Sequence, residues 1–329
     1  MSSPRVSVVL PVYNGEKTIR GAVESLLNQT FSDFELLVCI DGTNDRSEEI
    51  VMSMGDPRIQ IIKNPRNIGL SSTLNRLIFN SCRDADYIAM AEQDDWFYPD
   101  RLQAQVDFLD GHPEYGLVSG IAEFWTGDND PPGLFPGILV DGGQYPVDYR
   151  EFFLLNYRKM IKVVHSCMMF RRKDYETYGL HYSWQYPTIH TDWDFIMRFS
   201  KFAPVYGLHK ILVRKNREDE RVSITKKLDR TIQFGNELIK SYRFEFPEII
   251  SGKDYRFASM TIKMLKVGHM PFIKRWSWLL WQFVQSFGHS VVRERLALEF
   301  RRLGSGYKPK RLIAFGKAFS FLAHFLESL

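Results

Sequence analysis

Three carboxylates are crowded into the segment AMAEQDDWFYPDRL, which runs from Ala89 to Leu102. Glu92, Asp94 and Asp95 follow the apolar run YIAM and come directly before a tryptophan. Carboxylate oxygens are hard ligands, and they suit Mg²⁺ or Mn²⁺ bound partly by protein and partly by substrate phosphates. The competing interpretation is that the two aspartates cap a helix beginning near Pro99. Because polar clusters also end three other predicted strands, the metal interpretation is favoured.

Asp192 is a second candidate, in the segment HTDWDF near the predicted start of a helix. A general base needs a positioned carboxylate that can accept a hydroxyl proton, and a carboxylate at a helix start has a fixed orientation. Capping of the same helix is the alternative, and the residue types alone do not decide between the two. His165 is interpreted as a structural, half-buried histidine and not as a ligand.

Further polar residues follow the predicted strands and could contact a nucleotide. Asp41, in CIDGTND, could accept hydrogen bonds from a base or ribose, although a plain Asp-Gly turn is the alternative. Asp45 is predicted to cap the next helix. The chain contains no Gly-x-Gly-x-x-Gly and no Walker-type loop. The phosphates of a nucleotide would therefore need another source of positive charge, and a metal held by the acidic residues could supply it.

The elements that must position these residues follow from hydrophobic periodicity. Over the first hundred residues, short β-branched runs alternate with segments that have apolar residues at helical spacing. Strands are predicted at Val6–Val12, Phe34–Ile40, IQIIK and DYIAMA, and helices at Thr18–Gln29, SEEIVMSM and Leu70–Asn80. The pattern predicts an α/β fold with a Rossmann-like, mostly parallel sheet and helices on both faces. Ligands of such sheets bind at the carboxyl ends of the strands, where the polar clusters lie.

The following segments complete this unit. We predict a helix over PDRLQAQVDFLDGHP, a strand over GLVSGIAEFW, a loop near the site at Gly127–Gln144, a strand over VVHSCMMF and a helix over HTDWDFIMRFSKFA. From about Ser223 the pattern becomes helical, basic and aromatic. The predicted domains are residues 1–222, which carry the candidate site, and a helical extension over residues 223–329.

Charge is divided unevenly along the chain. Residues 251–329 hold 14 Lys and Arg against 4 Asp and Glu, whereas residues 1–250 hold 29 against 35. This asymmetry indicates an anionic partner at the C-terminal end, either a membrane surface or a nucleic acid. No nucleic acid is expected, because no recognised binding motif accompanies the charge. The three tryptophans Trp276, Trp278 and Trp281 beside basic residues suit a helix in a lipid interface, and a helical subdomain packed on the core is the alternative.

Other sequence features bear on location. Three widely spaced cysteines, Cys39, Cys82 and Cys167, show no metal-type pairing and favour a reducing, cytoplasmic setting. The first apolar run ends at Tyr13, too early for a signal peptide. No segment reaches the 18 or so uncharged apolar residues of a membrane-spanning helix. The expected location is cytoplasmic, with peripheral attachment to the inner face of the cell membrane as the finer expectation.

The order of these motifs resembles the glycosyltransferases of family 2, which have the GT-A fold. The resemblance rests on VSVVLPVYNGEKTIRGAVESLLNQTFSDFELLVCIDGTND, NIGLSSTLNRLI, YIAMAEQDDWFYPDRL, MMFRR and HTDWDFIMRF, and it covers about Val6 to Ser223. It implies an inverting transferase that uses a nucleotide diphosphate sugar and Mn²⁺ or Mg²⁺. The residues implied to bind the nucleotide sugar are Pro11, Val12, Tyr13, Asn14, Asp41, Asn67, Gly69, Asn75 and Asp94.

The resemblance also implies the remaining roles. Asp94 and Asp95 match the family's Asp-x-Asp region, with Asp95 as the direct metal ligand, and Asp192 matches the catalytic base. The chain departs from the family's usual residues at three places: Ile40 before Asp41, Glu92 in place of an aspartate, and Thr191 before Asp192. None of these differences removes an implied metal ligand or the implied base.

These observations predict an inverting glycosyltransferase that moves a sugar to a hydroxyl of a glycan or lipid-linked acceptor, in bacterial-type surface polysaccharide synthesis. Two alternatives stay open. A metal-dependent nucleotidyltransferase would release pyrophosphate instead of a nucleoside diphosphate. A catalytically silent nucleotide-sugar-binding protein would bind the donor without turnover. Ile40 and Thr191, which differ from the residues usual in the family, leave this alternative open.

Overall fold

A computed structural model describes residues 3–125, 132–160, 162–185, 189–216 and 228–265. The chain divides into two compact units, residues 1–234 and 235–329. The first unit contains the predicted alternation of strands and helices. Its described strands are β1 (Val6–Val12), β2 (Phe34–Asp41), β3 (Ile59–Asn64), β4 (Tyr87–Met90), β5 (Asp95–Phe97), β6 (Leu117–Trp125), β7 (Gly133–Phe135), β8 (Met169–Arg171) and β9 (Val205–Asn216).

The helices of the described segments connect these strands. They are α1 (Ile19–Leu27), α2 (Ser47–Met52), α3 (Leu70–Asn80), α4 (Arg101–Gly111), α5 (Gly137–Val140), α6 (Tyr149–Lys159), α7 (Arg172–Thr177), α8 (Thr191–Phe199), α9 (Leu228–Glu245) and α10 (Gly252–Met264). The boundary between the two units falls within α9.

One sheet contains all the described strands, in the order β3-β2-β1-β4-β8-β6-β9-β5, with β7 paired to β6. The pairs β1–β2, β1–β4 and β2–β3 are parallel, as predicted for the first four strands. Their carboxyl ends therefore open on the same edge of the sheet. β8 joins β4 in the antiparallel sense, and β9 lies parallel to β6 and antiparallel to β5.

The sheet is buried on both faces, which confirms the predicted α/β fold with covering helices. Alternate residues of β1 contribute to different apolar clusters: Val6, Val8 and Leu10 belong to one cluster and Val9 to the other. A parallel strand with a near-continuous apolar sequence is typical of a sheet covered on both faces. This packing fixes the strand ends, and hence the loops that carry the polar residues.

Two predicted elements are wrong in detail. The segment Gly127–Gln144, expected to be a loop, contains β7 and α5 in its described part. The expected strand over residues 163–170 is instead a 3₁₀ turn at His165–Cys167, and β8 begins only at Met169. The His165 ring in this turn contacts Glu92 and Tyr182 at the candidate site, and periodicity does not reveal such contacts.

The described part of the C-terminal extension is helical, as predicted. Ser251 and Asp254 form a capping box at the start of α10, in which each side chain bonds the backbone N–H of the other residue. Within the described segments, no helix is both long enough and apolar enough to cross a membrane. The tryptophans and most of the basic residues on which the lipid-interface prediction rests lie beyond Leu265, outside the described residues.

Candidate active site

The loops after β1 and β2 are tied together by hydrogen bonds. The Asn14 N–H donates to the Thr43 hydroxyl (3.0 Å), and the Thr43 hydroxyl lies 2.5 Å from Asp45 Oδ1. Asp45 Oδ2 accepts from the Glu16 N–H (2.9 Å), and its Oδ1 accepts from the Ser47 N–H (3.0 Å). Asp45 is structural, as predicted, but it is not the N-cap of α2, which is Arg46 one residue later. Its carboxylate links both loops to the start of α2.

Four predicted nucleotide-binding residues lie at the end of β1. Pro11 and Val12 belong to the strand, and Tyr13 and Asn14 follow it, with Asn14 in the left-handed region at φ 51°. The side-chain amide of Gln93 forms two hydrogen bonds with the backbone of Tyr13. It accepts from the N–H (2.8 Å) and donates to the carbonyl (3.0 Å). The loop after β1 is therefore fastened to the loop that carries the acidic cluster.

Asp41 is buried at the end of β2 and orders the loop after β3. Its Oδ1 accepts from the Asn64 amide (2.8 Å) and from the backbone N–H of Ile68 (3.0 Å). The Asn67 side chain accepts from the Gly69 N–H (3.0 Å), and Gly69 has a φ of 87° directly before α3. One carboxylate oxygen of Asp41 thus stabilises the loop after β3. The contact predicted between Asp41 and a nucleotide base stays a prediction.

Asn75 lies on α3, and its amide is committed to the protein. It donates to the Tyr182 carbonyl (2.8 Å) and accepts from the Tyr182 N–H (2.8 Å). A side-chain amide that bonds both the N–H and the carbonyl of one residue fixes the position of that backbone. Asn75 therefore positions the segment before α8, and the contact predicted between its side chain and the nucleotide sugar is untested.

The acidic cluster lies after β4 and at the start of β5. Glu92, Asp94 and Asp95 each offer an oxygen within 4.8 Å of the others, and Asp94 is exposed whereas Asp95 is buried. Lys215, opposite Asp95 in the β5–β9 ladder, places Nζ 2.8 Å from Glu92 Oε2 and 2.8 and 3.1 Å from the two Asp95 oxygens. The sequence analysis predicted that the carboxylates lie close together, but it did not predict that Lys215 lies among them.

Charge and burial compete in this cluster. Burial, with the neighbouring negative charges, raises the pKa of Asp95 to about 7, although Lys215 acts in the opposite direction. For Glu92, burial is outweighed by Lys215 and by a hydrogen bond with His165, and its pKa is lowered. Burial also opposes the charge of Lys215, but the carboxylates raise its pKa well above the ordinary value. The ammonium therefore stays charged at neutral pH.

A chain of polar contacts leads away from Glu92. His165 Nδ1 lies 3.2 Å from Glu92 Oε1, and His165 Nε2 lies 3.0 Å from the hydroxyl of Tyr182. His165 is 6% exposed and has a partner at each ring nitrogen, which confirms that it is a satisfied histidine, more fully buried than predicted. Sequence reasoning missed Tyr182, because an isolated tyrosine in an aromatic segment gives no signal of its partners.

Asp192 is the second residue of α8, half-buried, with Oδ1 accepting from the Trp193 N–H (2.8 Å). The helix is anchored by Trp193, which is fully buried and donates its indole N–H to the Asn156 carbonyl (3.1 Å). Burial raises the pKa of Tyr182 well above its usual value, and the negative charges of Asp192 and Glu92 add to this.

Glu92, Asp94 and Asp95 lie close together at one edge of the sheet. Together they offer the oxygen ligands that a cation such as Mg²⁺ or Mn²⁺ prefers. The ammonium of Lys215 among them indicates that this place attracts positive charge. Such a cation, with Asp94 exposed beside it, could hold a phosphate-bearing ligand at the carboxyl ends of β1, β2 and β4.

Comparison with known proteins agrees with this architecture. Residues 7–179 match the family model "Glycosyl transferase family 2". The chain is 36% identical to EpsE of Bacillus subtilis over 120 residues, which are 36% of this chain and 42% of EpsE. It is 29% identical to the chondroitin synthase of Escherichia coli over 231 residues, 69% of this chain and 31% of that enzyme. The chain thus spans less than half the length of these two relatives.

Solved structures share the fold. TarS of S. aureus, residues 1–349, superposes with a TM-score of 0.58 at 16% identity, covering 98% of this chain and 90% of that one. The mannosyltransferase PcManGT of Pyrobaculum calidifontis, solved with GDP-Man and Mn²⁺, gives a TM-score of 0.53 at 15% identity, covering 98% and 87%. These likenesses confirm the GT-A fold. With the family model matching more than half of its residues, the chain belongs to glycosyl transferase family 2.

Proposed function

We propose that the chain transfers a sugar from a nucleotide diphosphate sugar to a hydroxyl of a glycan or lipid-linked acceptor, in bacterial-type surface polysaccharide synthesis. The observation that carries the proposal is the convergence of Glu92, Asp94 and Asp95 at the edge of the sheet where the loops after β1 and β2 also lie. Family membership supports the reaction class. TarS has been solved with UDP and with UDP-GlcNAc, and PcManGT with GDP-Man.

The nucleoside would lie between the loops that follow the first three strands. The hydrogen bonds among these loops hold Tyr13 and Asn14 in place, and an ordered pocket loses less entropy when a ligand binds. Asp41 would lie beside the base through the oxygen that does not bond Asn64. Asn67 and Gly69 would contribute the backbone at the start of α3.

Asp94 and Asp95 would hold Mn²⁺ or Mg²⁺, which supplies positive charge for the departing nucleoside diphosphate. Asp94 is exposed, and its carboxylate has no ion pair within the described segments. It can therefore meet a ligand from solvent without first losing a protein partner. Glu92 is longer than the aspartate usual in the family and supports the site through its contacts to Lys215 and His165.

Asp192 would accept the proton of the acceptor hydroxyl as that hydroxyl attacks the anomeric carbon. Attack on the face opposite the departing diphosphate inverts the anomeric centre. The first turn of α8 holds this carboxylate in a fixed place, where Oδ1 accepts from the Trp193 N–H. A carboxylate positioned in this way can accept a proton as the hydroxyl attacks.

The C-terminal residues suggest where the reaction occurs. We infer peripheral attachment to an anionic membrane surface on the cytoplasmic side, because residues 251–329 combine a large excess of basic residues with three tryptophans. A lipid-linked acceptor would then be presented at the same surface.

The test is the release of nucleoside diphosphate from UDP-, GDP- and dTDP-sugars by the full chain, with Mn²⁺, Mg²⁺ or EDTA and with crude lipid or glycan acceptors. We expect release from one donor that EDTA abolishes and metal restores. Release of pyrophosphate would identify a nucleotidyltransferase instead. Donor binding without turnover across all acceptors would identify a silent binding protein.

A further inference from the structure

Lys215 brings a cation into the middle of the acidic cluster. The β5–β9 ladder sets it directly opposite Asp95, so its position follows from the register of two paired strands. Its Nζ contacts three carboxylate oxygens at 2.8 to 3.1 Å, one from Glu92 and two from Asp95. The Lys215 side chain is 19% exposed, and charge-assisted hydrogen bonds at these distances are strong when little water competes.

These contacts divide the three carboxylates into two kinds. Both oxygens of Asp95 face the ammonium, and Glu92 is held between Lys215 and His165. Asp94 alone is exposed and lacks an ion pair within the described part of the chain. A divalent cation that approaches the cluster thus meets one available carboxylate and two that already contact the ammonium of Lys215.

We propose that Lys215 is a resident counter-ion that weakens metal binding in the absence of the donor and thereby couples metal binding to the arrival of the diphosphate. The proposal rests on the proposed function, since it concerns the same site.

Two physical effects act in the same direction. Like charges repel at short range in a partly buried site, so an ammonium that touches Glu92 and Asp95 opposes a divalent cation bound to them. The metal must also replace the ammonium as the partner of Asp95, or bind without that oxygen. A diphosphate brings additional negative charge and ligand oxygens, which compensate for both effects. By linkage, the metal must increase the affinity for the diphosphate by the same factor.

The competing interpretation is that Lys215 is only a clamp between β5 and β9. Removal of a clamp would disorder the carboxylates and leave metal affinity unchanged or weaker. Removal of a resident counter-ion would make metal affinity stronger. The two interpretations therefore differ in the sign of the change, which a direct binding measurement distinguishes without any assay of turnover.

The experiment compares the full-length wild type with Lys215→Met, in which an apolar side chain of similar length replaces the ammonium. Free Mn²⁺ is measured by electron paramagnetic resonance, with and without UDP or GDP. We expect the variant alone to bind Mn²⁺ at least tenfold more tightly than the wild type, and the enhancement by nucleotide to fall. Equal or weaker Mn²⁺ binding by the variant overturns the proposal.

Two further variants test whether a change in Mn²⁺ affinity comes from the charge at residue 215 or from any lysine substitution on β9. Lys210→Met removes a lysine from the same strand that pairs with Asp100 and should leave Mn²⁺ affinity unchanged. Lys215→Arg keeps the charge and should bind Mn²⁺ as weakly as the wild type. A gain in Mn²⁺ affinity in either variant contradicts the proposal. If Lys215→Met is too unstable to purify, Lys215→Gln tests the same loss of charge with a shorter polar side chain.

The result is independent of whether the proposed reaction is correct. Failure of the wild type to cleave any donor would count against the proposed function, whereas the Mn²⁺ affinities of the two proteins without nucleotide decide the role of Lys215. A variant that binds Mn²⁺ more tightly supports the counter-ion even if no donor is found. A variant that does not bind Mn²⁺ more tightly refutes it even if the wild type is an active transferase.

Discussion

Asp192 and the acidic cluster would act on opposite sides of the reacting carbon, and only Asp192 would take up a proton. Asp192→Asn keeps the size of the side chain but removes its charge and basicity. We expect kcat for sugar transfer to fall by about 100-fold or more, because general-base catalysis typically contributes 10²- to 10⁴-fold. Binding of the nucleoside diphosphate should be retained. Steady-state kinetics and calorimetric titration measure the two effects separately.

Glu151→Gln is the matched control for this variant. Glu151 also lies in the first turn of a helix, α6, and is exposed, so its loss equally weakens the interaction with a helix dipole. The control should turn over at the wild-type rate. If Asp192→Asn retains activity similar to that of Glu151→Gln, Asp192 is not the base and its role at the helix start is structural.

The carboxylate of Asp45 stabilises the fold through the hydrogen bonds that it accepts. Burial opposes its ionisation, but hydrogen bonds from Ser47, Thr43 and Glu16 outweigh burial and lower its pKa to about 2. An ordinary aspartate titrates near 3.9, so the folded state binds this proton less readily than the unfolded state. The stabilisation by Asp45 is therefore complete above about pH 4 and is lost as the pH falls towards 2.

Asp45→Asn should accordingly lower the free energy of unfolding by about 1–2 kcal/mol at pH 7, because an amide NH2 replaces one of the two acceptor oxygens and the other loses its charge. The difference from the wild type should shrink as the pH falls from about 4 towards 2. Urea unfolding followed by circular dichroism at several pH values measures this. Glu49→Gln, an exposed acid in the first turn of the same helix, should have little effect. A difference that does not vary with pH would contradict the assignment.

At the scale of elements, α3 connects the nucleotide side of the crevice with the segment before α8. Asn75 bonds both the N–H and the carbonyl of Tyr182, and Ser71 on the same helix lies 3.0 Å from the hydroxyl of Thr191. The start of α8, and with it Asp192, is thus positioned through α3. A disturbance of this connection should affect the base without any change in the base itself.

Asn75→Asp tests this connection. The new carboxylate oxygen would face the Tyr182 carbonyl that now accepts a hydrogen bond, and a partly buried acceptor without a donor costs about 1–3 kcal/mol. We expect a lower melting temperature in thermal unfolding and a reduced kcat. Asn80→Asp on the same helix is the control, because Asn80 also donates to a backbone carbonyl, that of Arg76, but is exposed. Equal melting temperatures for the two variants would refute the positioning role.

The first four strands, β6 and helices α1 to α4 and α8 were predictable because their apolar periodicity depends only on local sequence. The strands β5 and β7, of three residues each, and β9 were not predicted. Because the carboxyl ends of parallel strands meet at one edge of a sheet, the residues after β1, β2 and β4 were predicted to lie together, and the structure places them there. Lys215 and Tyr182 were not predictable, because their roles depend on a β5–β9 register and on a contact across 107 residues. The 3₁₀ turn at His165–Cys167 was missed because an apolar run does not distinguish a strand from a turn that ends in polar contacts.

At the scale of the whole molecule, charge is separated along the chain, with a net −6 over residues 1–250 and +10 over residues 251–329. A basic segment is attracted to anionic lipid by roughly 1 kcal/mol for each residue near the surface, and salt screens this attraction. We expect the full chain to sediment with vesicles that contain anionic phospholipid at low ionic strength and to be released as salt is raised. Neutral phosphatidylcholine vesicles are the matched lipid control.

Tryptophan burial distinguishes lipid insertion from simple charge attraction. If Trp276, Trp278 and Trp281 enter the interface, replacement of all three by alanine should weaken vesicle binding and leave a residual attraction that is more sensitive to salt. If the three residues pack within the protein instead, the same replacement should lower the melting temperature and leave vesicle binding at low salt unchanged. Failure of the wild-type chain to sediment with anionic vesicles at low salt would remove the membrane from the proposed function, and the acceptor would then have to reach the crevice from solution.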